Sequence, residues 1–151
     1  MPHVLVVEDR PDILTMMRLA LEEYGAYRVS CSANGDEALL LLEDELPDVM
    51  VIDVLLPDMP GLELAAHAFR RGIPLVLMTG EPGMAATLRD LEWPHLEKPF
   101  RLERLLEEIR GAIEDRSDNR RVVGAALERL VVRGEAAAPL LRRVRTVMEA
   151  A

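Results

Sequence analysis

The most constraining feature of this chain is an alternation of short apolar runs with longer segments of helical periodicity. Continuous apolar runs at residues 4–7, 49–52 and 75–78 are typical of strands buried on both faces of a sheet. Weaker strand patterns lie at residues 27–31 and 93–97. Because a helical pattern follows each strand, the sequence predicts an α/β fold: a doubly wound parallel sheet with right-handed crossovers.

The intervening helices are predicted from apolar spacing and from residues that favour helix ends. Pro11 suits the first position of the first helix, and Asn34 suits the cap of the second. The predicted helical segments are residues 11–25, 38–42, 62–69, 84–91 and 101–113.

Composition limits the class of protein. With 151 residues, of which 50% are hydrophobic, the chain suits one domain of ordinary size with a small appendage. No apolar run approaches the ~20 residues of a membrane-spanning helix, and no signal peptide is visible. The single cysteine, Cys31, precludes an internal disulfide and is compatible with a reducing compartment. We therefore expect a cytoplasmic protein that does not associate with a membrane.

Charge divides the chain. Residues 1–115 carry 10 Lys and Arg against 23 Asp and Glu, a net charge of −13, whereas residues 116–151 carry 8 against 4, a net charge of +4. The change of sign coincides with a polar run at residues 114–119. The sequence therefore predicts a main domain at 1–115 and a basic helical C-terminal extension at 116–151.

Polar side chains follow four of the five predicted strands. Glu8 and Asp9 follow the first strand, Asp53 the third, Thr79 the fourth and Lys98 the fifth. Ligand sites of such sheets lie beyond the carboxyl ends of the strands. We expect these five side chains to converge there.

The chemistry of such a cluster follows from its charges. Carboxylates that lie close together require a cation between them, and oxygen ligands without His or Cys suit Mg²⁺. Glu8 and Asp9 form the pair needed for the metal, which leaves Asp53 as a nucleophile that can form an acyl phosphate. Mg²⁺, the Thr79 hydroxyl, backbone N–H groups and the Lys98 ammonium would neutralise the transferring phosphoryl group.

Taken together, these motifs resemble the receiver domain of two-component response regulators. The resemblance covers residues 3 to about 114, and the family's signature positions are filled in order. The motifs that carry it are Glu8-Asp9, Asp53 with Leu56-Pro57-Asp58-Met59-Pro60-Gly61, Thr79-Gly80 and Lys98-Pro99-Phe100.

The resemblance implies a flavodoxin-like (βα)5 fold with strand order 2-1-3-4-5 and a Mg²⁺-dependent phosphoacceptor, Asp53. The phosphodonor would be a sensor histidine kinase or a histidine phosphotransfer protein, and a downstream protein would receive the signal. By the same resemblance, Thr79 follows the phosphoryl group, Lys98 pairs with it, and the backbone carbonyl of Leu55 completes the metal shell. Catalysis would be limited to self-phosphorylation from small donors and self-dephosphorylation.

Three features depart from the family's common pattern. His95 occupies the position of the usual aromatic switch residue; a histidine there can fill the same groove and add pH sensitivity, or can be a partly exposed strand residue. Leu55 and Glu81 lie two residues after Asp53 and Thr79, where side chains control access of the hydrolysing water. The segment from 79 to 98 is short, which predicts a stunted or irregular fourth helix.

The basic extension carries two apolar stripes at helical spacing, from Val122 to Val131 and from Leu140 to Met148, with Gly134 as a predicted helix end. Two short helices cannot bury a core alone, so the stripes must pack on the main domain, on a second copy in a homodimer, or on a partner protein. The arginines at 142, 143 and 145 invite a nucleic-acid interpretation, but we expect nucleic acid to be an unlikely partner.

Three functions fit the sequence. The first is a phosphorylation-controlled switch without a catalytic or DNA-binding output domain, which acts through protein–protein contacts or as a phosphoryl shuttle. The second is a Mg²⁺-dependent aspartyl-phosphate phosphohydrolase, although such enzymes usually carry a second Asp where this chain has Leu55. The third is an unphosphorylated receiver-like scaffold, which the intact Asp53, Thr79 and Lys98 do not favour.

Overall fold

Five parallel strands form one sheet in the order β2-β1-β3-β4-β5. The computed structural model describes residues 1–133 and 138–150. The observed strands are β1 (His3–Val7), β2 (Arg28–Ser32), β3 (Val49–Asp53), β4 (Leu75–Thr79) and β5 (His95–Glu97). The predicted flavodoxin-like fold and its strand order are confirmed.

Helices follow the strands in alternation, and further helices extend the C-terminus. They are α1 (Pro11–Glu23), α2 (Gly35–Asp44), α3 (Gly61–Arg70), α4 (Pro82–Asp90), α5 (Leu102–Glu114), α6 (Arg116–Arg133) and α7 (Ala138–Glu149). The Asn34 side chain accepts from the Glu37 N–H and caps α2 as predicted. The fourth helix is short, with nine residues, but regular, since Pro82 lies in its first turn, where no backbone N–H is required.

The sheet separates two apolar layers, because alternate residues of each strand point to opposite faces. Leu5 and Val7 belong to the layer that contains residues of α2, α3 and α4. Val4 and Val6 belong to the layer that contains residues of α1 and α5. The central strands β1, β3 and β4 are buried along their whole length, as their continuous apolar runs predict.

The C-terminal helices pack on the main domain. Val123 and Leu127 of α6 and Val144 of α7 lie in the same apolar layer as α3 and α4. Of the three places proposed for the apolar stripes, the structure therefore shows the first, the surface of the main domain. The helix end predicted at Gly134 lies outside the described residues, and the division into domains 1–115 and 116–151 stays a prediction.

Asn119 joins α6 to the sheet. Its Oδ1 accepts from the Leu75 N–H at 2.9 Å, and its Nδ2 donates to the Leu75 carbonyl at 3.0 Å. The neighbouring strand β5 begins at His95, which pairs with Leu77, so it does not reach Leu75. The buried Asn119 amide therefore supplies the backbone partners that a longer β5 would otherwise supply.

Arginines connect the C-terminal helices to the acidic main domain. The contacts are Arg120 Nη1 to the Phe69 carbonyl at 2.8 Å, Arg129 Nη1 to the Asp90 carbonyl at 2.9 Å, Arg143 Nε to Glu63 at 2.9 Å and Arg70 Nη1 to the Met148 carbonyl at 2.8 Å.

Across the described residues, no helix has both the length and the apolar character needed to cross a membrane.

Candidate functional site

Three carboxylates meet where β1 and β3 end. These strands pair in parallel, so Glu8, which follows β1, and Asp53, which ends β3, lie on the same edge of the sheet. Glu8 is fully buried and Asp53 is 6% exposed, whereas Asp9 faces solvent. One carboxylate oxygen from each of these residues lies within 4.8 Å of the others.

Lys98 bridges the two buried acids. Its Nζ lies 2.5 Å from Oδ2 of Asp53 and 2.7 Å from Oε1 of Glu8. The backbone N–H of Lys98 donates to the Thr79 carbonyl at 2.8 Å, which continues the β4–β5 pairing and directs the lysine toward β3. The predicted convergence of Glu8, Asp53 and Lys98 is therefore observed in the geometry.

Thr79 lies at the end of β4, next to β3, and is 3% exposed. Its Oγ1 accepts from the Glu81 N–H at 3.1 Å and donates to the Glu81 carbonyl at 3.5 Å. Both of these contacts are with Glu81, the residue before α4, so the hydroxyl is linked to the start of that helix. Thr79 also lines the same open cleft as Asp53 and Lys98.

Burial and the neighbouring charges set the ionisation of the buried acids. Burial, and then the Asp53 carboxylate, raise the pKa of Glu8 to about 7 although Lys98 opposes the shift. Burial disfavours the charged form of Asp53, but the neighbouring Glu8 side chain, the Lys98 ammonium and the backbone N–H of Leu55 outweigh it and lower the Asp53 pKa. Asp53 is therefore the acid that stays ionised, and Glu8 is the one that takes up a proton.

The donor set fits Mg²⁺. Glu8, Asp9 and Asp53 offer oxygen ligands within reach of one ion, and Mg²⁺ prefers oxygen ligands of this kind. Glu8 Oε2 is buried without a hydrogen-bond partner among the described residues, which leaves a lone pair free for a cation. The contribution of the Leu55 carbonyl to this set stays a prediction.

Leu55 and its neighbours form the mouth of the site. The backbone N–H of Leu55 donates to Asp53 Oδ1 at 2.9 Å, and its side chain is 81% exposed. The cleft above Asp53 has a volume of about 660 Å³. The predicted Leu55 therefore lies at the site, and Pro57 of the motif after Asp53 lies beside it. Three further apolar side chains that line the cleft, which the sequence did not predict, are Ile13, Pro82 and Met84.

The two remaining predicted tuning residues occupy different places. Glu81 lines the cleft beside Thr79. His95 is the first residue of β5 and does not line this cleft. One of its ring nitrogens lies 2.7 Å from the Trp93 carbonyl, and the other lies 3.5 Å from the Glu97 carboxylate. The roles of Glu81 and His95 stay predictions.

Asp58 has a structural role that sequence reasoning missed. Its two carboxylate oxygens accept from the Gly35 and Asp36 N–H groups, each at 2.8 Å. It therefore joins the loop after β3 to the start of α2, where a carboxylate is favourable to a helix N-terminus. No local pattern could have indicated this role, because the partners lie 23 and 22 residues away in the chain.

Comparisons with known proteins agree on one family. The response regulator receiver domain family matches residues 4–110. The probable transcriptional regulatory protein TcrX of Mycobacterium tuberculosis is 31% identical over 116 residues, which cover 73% of this chain and 49% of TcrX. The transcriptional regulatory protein TrcR of the same organism is 30% identical over 130 residues, which cover 83% of this chain and 50% of TrcR.

Solved receiver domains share the fold. A CheY-like receiver domain protein from Methanospirillum hungatei is 28% identical with a TM-score of 0.68, covering 78% of this chain and 98% of that one. The chemotaxis response regulator CheY4 of Vibrio cholerae is 30% identical with a TM-score of 0.63, covering 73% and 97%.

The chain spans about half the length of the curated relatives it matches. Those relatives are named as transcriptional regulators, so the expectation that nucleic acid is an unlikely partner is not supported by them. The family match itself covers well over half of the chain and includes Glu8, Asp9, Asp53, Thr79 and Lys98. The chain belongs to the response regulator receiver family.

Proposed function

We propose that this chain is a two-component signalling switch whose phosphoacceptor is Asp53. A sensor histidine kinase or a histidine phosphotransfer protein would supply the phosphoryl group in a Mg²⁺-dependent reaction. The observation that carries the proposal is the contact of Lys98 with both Asp53 and Glu8 at the carboxyl edge of the sheet. This arrangement joins a nucleophilic carboxylate, a cation and an acid with a free oxygen lone pair.

Asp53 would act as the nucleophile. Its lowered pKa keeps the carboxylate ionised at neutral pH, and the Leu55 N–H holds one of its oxygens. A carboxylate oxygen would attack the phosphorus of a phosphohistidine, so that a P–O bond forms as the P–N bond breaks. The leaving imidazole nitrogen takes up a proton, and the product is an acyl phosphate.

Lys98 and Thr79 would stabilise the charge of the transferred group. The Lys98 ammonium already lies at Asp53 Oδ2 and could turn toward a phosphoryl oxygen. The Thr79 hydroxyl could donate to another oxygen if it gives up its long contact with the Glu81 carbonyl. Mg²⁺ held by Glu8, Asp9, Asp53 and the Leu55 carbonyl would supply the remaining positive charge.

We propose that the signal leaves through protein–protein contacts. Three arginines of the extension contact groups of the main domain: Arg120, Arg129 and Arg143. These contacts support an intramolecular role for the three cations and not a role in binding the phosphates of a nucleic acid. The names of the relatives keep a transcriptional role open for the whole protein. A titration of the chain with duplex DNA at low and moderate salt would test that alternative, since phosphate contacts weaken as salt rises.

The proposal is tested by incubating wild type and Asp53→Asn with acetyl phosphate and Mg²⁺ and then measuring intact mass. The switch predicts a gain of one phosphate in the wild type and none in the variant. Release of many phosphates per chain would indicate the hydrolase instead. An unmodified wild type would indicate an unphosphorylated scaffold.

A further inference from the structure

Two helices of the main domain begin directly at the candidate site. The first residue of α3 is Gly61, whose N–H donates at 2.8 Å to the carbonyl of Val54, the residue after Asp53. The cap residue of α4 is Glu81, which contacts the Thr79 hydroxyl through its N–H and its carbonyl. Movement at Asp53 or Thr79 therefore reaches the amino ends of α3 and α4 without an intermediate element.

Helix α6 holds the other end of α4. Arg129 donates to the backbone carbonyl of Asp90 at 2.9 Å, and its second nitrogen lies 3.4 Å from the Asp90 carboxylate. Leu88 of α4 and Leu127 of α6 are fully buried members of one apolar layer. A shift of α4 would therefore act on α6 through the Arg129 contact and through the apolar layer that the two helices share.

Helix α7 holds α3 at both of its ends. In the first turn of α3, Glu63 accepts from Arg143 of α7 at 2.9 Å. In the last turn, Arg70 donates to the Met148 carbonyl at 2.8 Å. The fully buried Val144 of α7 belongs to the same apolar layer as α3. The extension therefore fastens both of the helices that start at the site.

Phosphorylation would change the start of α4. A hydroxyl has one proton to donate, so Thr79 cannot donate both to the Glu81 carbonyl and to a phosphoryl oxygen. The Glu81 carbonyl also accepts from the Ala85 N–H at 3.0 Å, in the first turn of α4. Redirecting the Thr79 hydroxyl removes one of the contacts that fix this turn.

We infer that α6 and α7 form an intramolecular brake on phosphorylation of Asp53. They stabilise α3 and α4 in the arrangement seen here, and phosphorylation loosens their docking. This coupling is reciprocal: if the modified site weakens the docking, then the docked helices must also oppose modification. The inference rests on the proposed function, because it requires that Asp53 accepts phosphate.

The first test compares phosphorylation rates of variants of the 151-residue chain at fixed acetyl phosphate and Mg²⁺. Arg129→Ala removes the contact with α4, and we expect it to become phosphorylated about two- to fivefold faster than wild type. Arg121→Ala is the matched control, because Arg121 lies on the same helix but pairs with Asp118 of that helix. A rate for Arg129→Ala equal to or below that of the control overturns the inference.

Arg143→Ala provides an independent variant on α7. Glu63 is its partner on α3, and both side chains lie outside the cluster around Asp53. We expect Arg143→Ala, like Arg129→Ala, to become phosphorylated faster than wild type. If both variants retain the wild-type rate, then the extension does not restrain the site and the inference is wrong.

The second test measures amide hydrogen exchange in peptides from 116–133 and 138–149, before and after phosphorylation. Loosened docking predicts faster exchange in α6 of the phosphorylated wild type and no change in Asp53→Asn treated in the same way. Unchanged exchange in wild type that carries phosphate by intact mass overturns the brake but leaves the proposed function standing. Wild type that gains no phosphate overturns both.

Discussion

Lys98 Nζ lies 2.5 Å from Oδ2 of Asp53, and the same ammonium contacts the fully buried Glu8. The lysine thus offsets the repulsion of two buried carboxylates in the absence of a metal ion. The Lys98 ammonium helps to keep the pKa of Asp53 low and limits the rise in the pKa of Glu8. The same contact explains why a site made largely of acids can fold.

Removal of this cation is expected to destabilise the protein. Lys98→Met leaves the buried acids without a counter-charge. Without Mg²⁺, we therefore expect the free energy of unfolding to fall by about 1–3 kcal/mol. The loss should lie toward the lower end of this range, because Lys98 is partly exposed and Glu8 can take up a proton. Urea unfolding at neutral pH measures the change. Arg89→Met is the matched control, since its ion pair with Glu97 is exposed and should contribute much less to stability. Equal losses in the two variants would contradict the role of Lys98.

Mg²⁺ affinity is expected to depend on the protonation of Glu8. With a pKa of about 7, Glu8 is mostly protonated at lower pH, and a metal ion must displace that proton. The apparent affinity for Mg²⁺ should therefore fall as the pH drops below about 7 and level off above it. The same pKa affects the stability of the metal-free protein. Folded Glu8 binds its proton more tightly than Glu8 of the unfolded chain, so protonation stabilises the folded state at acidic pH. This contribution to the free energy of unfolding is lost as the pH rises from 4.5 to about 7.

Isothermal titration calorimetry with Mg²⁺ across this pH range provides the measurement, with Glu8→Gln as its control. The variant should bind Mg²⁺ more weakly and with little pH dependence, because Gln does not titrate. A wild-type affinity that stays constant through about pH 7 would show that Glu8 is not a ligand or that it is already ionised.

Leu55 is expected to prolong the lifetime of the phosphorylated state. Its exposed apolar side chain at the mouth of the site offers no polar group to orient a hydrolysing water. Leu55→Asn adds an amide, and we expect dephosphorylation to be about two- to tenfold faster, the effect of one hydrogen bond of about 0.5–1.5 kcal/mol. Loss of phosphate followed by intact mass measures the rate, and Leu55→Met serves as the apolar control. An unchanged rate for Leu55→Asn would count against this role.

Asn119 is expected to contribute strongly to stability. Asn119→Ala leaves the buried N–H and carbonyl of Leu75 without the partners they have in the structure, which should cost about 2–4 kcal/mol. Ser117→Ala, an exposed position in the same helix, should change stability by less than about 0.5 kcal/mol. Chemical unfolding of the two variants tests this directly, and similar midpoints would refute the account of Asn119.

The fold could be predicted from the sequence because its signals are local. The apolar runs at 49–52 and 75–78 mark strands buried on both faces, and the polar residues after them mark the edge where ligands bind. The convergence of Glu8, Asp53 and Lys98 then follows from the order of parallel strands. The Asn34 cap was predictable for the same reason, since its partner lies three residues away.

Other features were not predictable because their partners are distant in the chain. In the sequence, Asn119 is only the last residue of the polar run at 114–119. Its hydrogen-bond partner, Leu75, lies 44 residues away. The first turns of α6, from Arg116, lack an apolar stripe, so the sequence predicted a shorter helix there. Which surface the two stripes cover depended on tertiary packing, and the sequence left three choices open.

The central claim is that Asp53 becomes an acyl phosphate, and chemical trapping tests it most directly. After incubation with acetyl phosphate and Mg²⁺, borohydride reduction converts an aspartyl phosphate to homoserine, which peptide mass spectrometry can locate. The account predicts homoserine at position 53, dependent on Mg²⁺ and absent when the ion is chelated. Homoserine at another acid, or none in the wild-type chain, would contradict it.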